Sequence, residues 1–158
     1  MNLRIFLFHF FLVLALCFQA QITDNFSDGN FSQNPTWQGS AADFLVNGTS
    51  ELQLSSAVAG ASHLSTPHVL ASLANTEWQI KVRQPFSPSS SNFGKVFLTA
   101  DNADLNLVQN GYYLLFGETG STDAIRLFNL TNGTATQICA GTNGQISASC
   151  NASVKVKR

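Results

Sequence analysis

Apolar and polar residues alternate most regularly between residues 77 and 83. Trp78, Ile80 and Val82 are separated by polar side chains, which is a period of two. Successive side chains of a β-strand point to opposite faces of a sheet, so this spacing predicts a strand with one buried and one wet face. We expect the three apolar side chains to line the core of the protein.

A second strong signal lies at residues 111–130, GYYLLFGETGSTDAIRLFNL. Two apolar runs, at residues 112–116 and 124–130, flank a cluster of turn residues at 118–123, which predicts a β-hairpin. Asn132-Gly133 then predicts another hairpin turn. Further strands are predicted at residues 44–46, 51–55, 95–100 and 136–139 and from residue 154 onward.

Composition agrees with an all-β fold. The chain has 158 residues, of which only 11% are charged, and it is rich in Phe, Val, Ser, Thr and Asn. This length suits one domain, and we expect an antiparallel two-sheet sandwich over residues 21–158. The formal net charge is −1 and the cations are dispersed, so no basic surface suited to nucleic acid is expected.

The first twenty residues have the pattern of a secretory signal peptide. A short positive start ends at Arg4, an apolar run covers residues 5–18, and Ala20 offers a small residue for cleavage. The run is shorter than the ~20 apolar residues of a spanning helix, which argues against a membrane anchor. A lipobox ending at Cys17 is the other alternative, but Leu16 stands where a small residue is usual. We therefore expect residues 1–20 to be a signal-peptide helix and the mature protein to be secreted or at the cell surface, without a membrane span.

The sequence stops inside an alternating segment. Val154 and Val156 alternate with lysines up to Arg158, and no turn residue follows. We therefore expect the domain to be incomplete at its C-terminus. Such a fragment would expose sheet edges and part of its core, which predicts poor solubility of these residues alone.

Two cysteines remain after the predicted cleavage, Cys139 and Cys150. An exported protein meets an oxidising compartment, and the Gly-rich turn at residues 141–144 could bring the two sulfurs together, so they are a candidate disulfide. Their register is two residues out for a tight turn, and two separate thiols at strand ends are the alternative. Neither cysteine has a second ligand at zinc-finger spacing.

No catalytic pattern is found among the polar residues. Jelly-roll glycoside hydrolases need two carboxylates flanking one bond, and no Glu-x-Asp-type pair occurs anywhere in the sequence. The Gly-x-Ser-x-Gly nucleophile motif is absent from the sequence as well, and His63 and His68 have no acid nearby in the sequence. We expect no catalytic residues.

Asp101, Asn102 and Asp104 are the candidate metal ligands. Calcium binds carboxylate and carbonyl oxygens in flexible geometry, and loops of sandwich domains often supply them. The full spacing of a calcium loop is missing, and Asp and Asn are also ordinary turn formers. Calcium is thus the one cofactor considered, with Asp101 and Asp104 as its ligands.

Aromatic residues are the one indication of a ligand. A flat apolar ring with a polar rim suits the face of a sugar. Trp78 is in phase with the predicted core, whereas Trp37 lies beside turn residues. Tyr112 and Tyr113 are adjacent and must point to opposite faces of their strand, one to the core and one outward or into a groove. Trp37 and Tyr112 are selected as candidate ligand contacts.

The chain also resembles a known family. The order of DNFSDGNF, PTWQG, ELQL, TEWQIKVRQPFSPSSSNFGKVFLTADNADL, NGYYLLFGETGSTDAIRLFNL and NASVKVKR is similar to the N-terminal concanavalin A-like (laminin G-like) jelly-roll region of secreted Bacteroidetes-type proteins. There it commonly precedes lamin-tail, Ig-like and type IX sorting domains. The resemblance covers residues 22–158 and implies a jelly-roll sandwich, an envelope or extracellular location and a non-catalytic role.

Two functions stay open from the sequence. The first is a non-enzymatic secreted or cell-surface module that binds glycan or extracellular protein within a larger multidomain protein. The second is a non-catalytic accessory domain of a secreted hydrolase, whose chemistry would lie outside these residues.

Overall fold

The computed structural model describes residues 21–70 and 72–158. The predicted signal peptide, residues 1–20, lies outside the described residues. The strands are β1 (Gln38–Gly39), β2 (Phe44–Val46), β3 (Leu52–Leu54), β4 (Leu64–Ser65), β5 (Glu77–Gln84), β6 (Gly94–Ala100), β7 (Gly111–Phe116), β8 (Ile125–Thr131), β9 (Thr134–Ala140) and β10 (Cys150–Lys157). A short 3₁₀ helix, Ala41–Asp43, precedes β2. Among the described residues no helix has the length and apolar character needed to cross a membrane.

The largest element is a four-stranded antiparallel sheet with strand order β6-β7-β8-β9. The predicted hairpin at residues 111–130 is confirmed as β7 and β8, with Phe116 opposite Ile125. The predicted turn between β8 and β9 is also confirmed: Asn132 and Gly133 have φ values of 49° and 74°. Asn and Gly tolerate this left-handed conformation at low cost, which is why this pair makes a tight hairpin.

Strands β5 and β10 form a separate antiparallel pair in which Val82, Ile80 and Trp78 lie opposite Ala152, Val154 and Val156. These six side chains pack against the buried cluster beneath the four-stranded sheet. The alternation predicted at residues 77–83 is therefore confirmed, with its apolar face toward the core. β5 runs one residue further than predicted, and Gln84 continues the same inward face.

The core lies between these two layers. Leu98 of β6 and Leu114 and Phe116 of β7 meet Ile146 and Cys150 there, and Phe116 has no exposed surface. Burying a large apolar side chain contributes about 1.5–3 kcal/mol, so these residues supply much of the stability that holds the layers together. The part of the chain that the structure describes is all-β and antiparallel, as predicted.

Two small sheets from the N-terminal part complete the described fold. β1 pairs with β4, and β2 pairs with β3 in the predicted hairpin. An ion pair of 2.6 Å between Glu51 and Arg83 ties the β2–β3 hairpin to β5. The Ser65 hydroxyl donates to the Ala103 carbonyl and connects β4 to the loop after β6.

Candidate functional site

The outer face of the four-stranded sheet, opposite the core, carries a row of three aromatic rings. Phe97, Tyr113 and Phe128 lie side by side because they occupy matching positions on β6, β7 and β8. The ring centroids are 5.3 Å apart for Phe97 and Tyr113 and 5.1 Å apart for Tyr113 and Phe128. The second pair is nearly parallel, at 13°. Offset stacking of this kind stabilises aromatic pairs, and the three rings form an apolar surface that we call the aromatic floor.

A groove opens beside this row, and we call it the outer-face groove. Its volume is about 320 Å³. Tyr113 and Leu115 of β7 form its floor, and one wall comes from the Ser-rich loop at residues 85–93. The opposite wall comes from the β7–β8 loop. The lining residues are Ser90, Phe93, Lys95, Tyr113, Leu115, Gly117, Glu118 and Thr119.

Gly117 lets the two walls approach each other. Its φ is +130°, a conformation that residues with side chains rarely adopt. A Cβ atom at this position would lie 2.9 Å from the Phe93 Cβ and 3.0 Å from the Pro88 Cβ. The Ser-rich loop is held at its other side by Ser87, whose hydroxyl donates to the Ser147 carbonyl at 2.6 Å. The groove is therefore framed by two loops that pack closely against each other at Gly117.

Lys95 extends over the aromatic floor. Its ammonium nitrogen is 4.7 Å from the centroid of Tyr113, 5.8 Å from Phe97 and 6.0 Å from Phe93. The electron-rich ring faces attract a cation at these distances. The lysine side chain is exposed, whereas Tyr113 is only 7% exposed because its neighbours cover it.

Arg126 and Glu118 form the charged pair at the edge of the groove. Two guanidinium nitrogens of Arg126 donate to the two carboxylate oxygens at 2.8 and 2.6 Å. This hydrogen bonding raises the pKa of Arg126. The Glu118 backbone N–H donates to the buried Asp123 carboxylate at 2.7 Å, which fixes the start of the loop. The ion pair therefore ties the β7–β8 loop to β8, and the charges of Arg126 and Glu118 neutralise each other.

Other glutamates are also engaged in ion pairs. The pKa of Glu51 is lowered to about 2, chiefly by the hydrogen bond from Arg83. The pKa of Glu77 is lowered to about 2, chiefly by Lys157 and then Lys155. A general acid needs a pKa near the working pH, so these two carboxylates are suited to ion pairing rather than to proton donation.

The structure separates the two aromatic residues selected from the sequence. Trp37 is half-buried near the N-terminus, where its indole N–H donates to Asp24 at 2.8 Å and its ring faces Phe26 at 6.2 Å. Tyr112 packs against the core, with the Arg158 guanidinium 4.9 Å from its ring. It is the neighbouring Tyr113 that lies on the outer face. Neither Trp37 nor Tyr112 lines the outer-face groove.

The predicted calcium ligands are occupied within their own loop. Asp101 accepts hydrogen bonds from the Gln109 backbone at 3.0 Å and the Asn110 side chain at 2.8 Å. The Asn110 bond is the main reason that the pKa of Asp101 is lowered. Asp104 accepts from the Asn106 backbone and lies 3.6 Å from the His63 ring. Across the described ranges no group of three His, Cys, Asp or Glu residues is placed to hold a metal.

Both cysteines are free thiols in the structure, so the candidate disulfide is not formed. Cys139 lies opposite Leu127 on β9 and is exposed, as are all residues of that strand. Cys150 begins β10 opposite Gln84 and is buried in the core. Cys139 therefore lies in the four-stranded sheet and Cys150 in the β5–β10 pair.

Scans of protein-family models, curated proteins and solved structures gave no match to this chain. The site is therefore defined by geometry. Its residues lie in segments that the sequence pattern predicts to be strands and a loop, but that pattern does not point to Lys95, Tyr113 or Phe93 as ligand contacts. The available signal was the alternation in β6, which places Lys95 and Phe97 together on the face away from Val96.

Proposed function

We propose that this protein is a non-enzymatic secreted or cell-surface module that binds carbohydrate in the outer-face groove. Its two layers would be those of a jelly-roll sandwich of the concanavalin A-like type, within a larger multidomain protein. The resemblance to laminin G-like regions supports this architecture and location. The observation that carries the binding function is the aromatic row of Phe97, Tyr113 and Phe128, in which Tyr113 and Phe128 are stacked, beside a groove whose walls carry both polar and apolar side chains.

The groove has the mixture of surfaces that a sugar requires. Phe93 is 47% exposed in one wall, so its ring is open to the C–H face of a pyranose. Ser90, Glu118 and Thr119 supply hydroxyl and carboxylate groups that match sugar hydroxyls. Close packing between the two walls limits the conformational entropy that would be lost on binding, which favours recognition by a shallow site.

A glycan array followed by calorimetry tests this proposal, and the Ser-rich loop offers a matched pair of variants. Phe93 lines the groove, whereas Phe86 of the same loop is 39% exposed and lies outside it. We expect Phe93→Ala to weaken glycan binding by about tenfold, which corresponds to about 1.4 kcal/mol, because the variant removes an exposed ring from the groove wall. Phe86→Ala should bind like the parent.

The Trp37→Ala variant tests whether the ligand binds in the outer-face groove or at Trp37, the ring that the sequence suggested. Because Trp37 is engaged with Asp24 and Phe26, its replacement should leave glycan affinity unchanged. Equal losses in Phe93→Ala and Phe86→Ala, or loss of affinity only in Trp37→Ala, would show that the ligand binds elsewhere. Absence of binding to every glycan tested would contradict the proposed function.

A further inference from the structure

The described part of the outer face presents two cations beside the groove, and they differ in their partners. Leu115 of β7 lies opposite Lys95 on one side and opposite Arg126 on the other. Arg126 is engaged with the Glu118 carboxylate at 2.6 Å. Lys95, by contrast, has no carboxylate within 4.0 Å among the residues of the described ranges.

The position of Lys95 is set by the aromatic floor. Three rings surround its ammonium, the nearest centroid being 4.7 Å away, so the charge is held over the groove. Aromatic rings attract the ammonium, but they do not accept hydrogen bonds from its three N–H groups as strongly as an anion would. Glu118 also lines the groove, but its charge is neutralised by the bidentate pair with Arg126.

We infer that the outer-face groove selects saccharides that carry an anionic group, and that Lys95 binds this group. The inference rests on the proposed carbohydrate function and names its ligand class. The ammonium of Lys95 donates to a carboxylate or sulfate oxygen while the sugar ring contacts Phe93. A charge-assisted hydrogen bond is roughly twice as strong as a neutral one, so an acidic sugar binds more tightly than a neutral sugar of the same size.

Calorimetry with three oligosaccharides of equal length tests this selectivity: an oligouronate, a sulfated oligoglucan and the unmodified neutral oligoglucan. We expect at least one anionic oligomer to bind about tenfold or more tightly than the neutral one, and its binding to weaken as salt is raised. Comparing the two anionic oligomers distinguishes a carboxylate from a sulfate as the bound group.

Variants assign the selectivity to one side chain. Lys95→Gln should remove the preference for the anionic oligomer, and Lys95→Arg should keep most of it. The matched control is Lys81→Gln, which removes the same charge from an exposed position of β5 away from the groove. Circular dichroism and thermal unfolding establish that each variant is folded. If Lys95→Gln unfolds, Lys95→Met retains the apolar stem over the rings and replaces it in the comparison.

The outcomes separate this inference from the function on which it rests. If the neutral oligomer binds as well as the anionic ones and Phe93→Ala weakens it, the carbohydrate function stands and the selectivity is refuted. Equal effects of Lys95→Gln and Lys81→Gln would also refute it, because net charge would then explain the preference. If no oligosaccharide binds, both proposals fail.

Discussion

Gln84 is a buried polar side chain whose replacement by methionine should stabilise the protein. It is 7% exposed at the inward end of β5. Its Nε2 donates to the Phe116 carbonyl at the long distance of 3.4 Å, and its Oε1 is buried without a hydrogen-bond partner. A buried acceptor without a partner costs about 1–3 kcal/mol relative to its solvated state.

The expected gain follows from two opposing terms. Methionine has a similar length and no branch, so it fills the same space and removes the unsatisfied oxygen. The variant loses the long hydrogen bond to Phe116, which is worth at most about 0.5–1 kcal/mol. We therefore expect Gln84→Met to raise the free energy of unfolding by about 1 kcal/mol and the melting temperature by about 3–5 °C.

Chemical denaturation followed by tryptophan fluorescence measures this change, since Trp78 packs against the core. The control is Gln79→Met on the same strand, where the side chain is exposed and the effect should stay within about 0.5 kcal/mol. A Gln84→Met protein that unfolds at lower denaturant than the parent would refute the reasoning. It would show that the amide is satisfied in solution and contributes to stability.

Three further predictions concern the groove, an ion pair and the thiols. Gly117→Val should destabilise the protein by about 1–3 kcal/mol and weaken the binding of a ligand in the groove, because both the φ of +130° at this position and the neighbouring Phe93 oppose a side chain. Denaturant melts measure the loss of stability and calorimetry measures the loss of affinity. A variant as stable as the parent would contradict the loop packing. The pKa of Glu51 is lowered from 4.5 to about 2, mainly by Arg83, so the pair stabilises the fold above pH 4.5 and this contribution is lost as the pH falls to about 2. Glu51→Gln should therefore melt below the parent at pH 7 and match it near pH 2, and a difference that does not change with pH would contradict this assignment. Cys139 should react at once with a thiol reagent, whereas Cys150 should react only after denaturation, because it is buried and burial raises its pKa. Mass spectrometry detects which thiols have reacted. If neither thiol reacts, the candidate disulfide forms in solution.

Local sequence patterns were sufficient for the elements whose side chains alternate or whose turns need special residues. Trp78, Ile80 and Val82 predicted the inward face of β5, and Asn132-Gly133 predicted the β8–β9 turn. Both signals depend on neighbours in the chain, which is why they can be interpreted without coordinates.

The choice between Tyr112 and Tyr113 could not be made in the same way. Adjacent residues on a strand must face opposite sides, but which side is the core depends on the partner layer. Strands β5 and β10 cover the face that carries Tyr112, and the register shift between Phe97 and Thr99 sets the neighbours of both rings. The contact of Gln84 with Phe116 and the burial of the loop residue Ile146 likewise depend on residues distant in sequence.

The pairing of β5 with β10 joins two strands that are far apart in the sequence, so this pair can form only after the rest of the domain has been made. β6 to β9 join neighbouring segments through local turns, which close quickly, whereas β5 must find a partner on the far side of all four. During synthesis, Trp78 and its inward neighbours would leave the ribosome well before β10 is made. Until β10 is made, the apolar face of β5 has no strand partner, and an exposed apolar strand is the kind of segment that aggregates during folding.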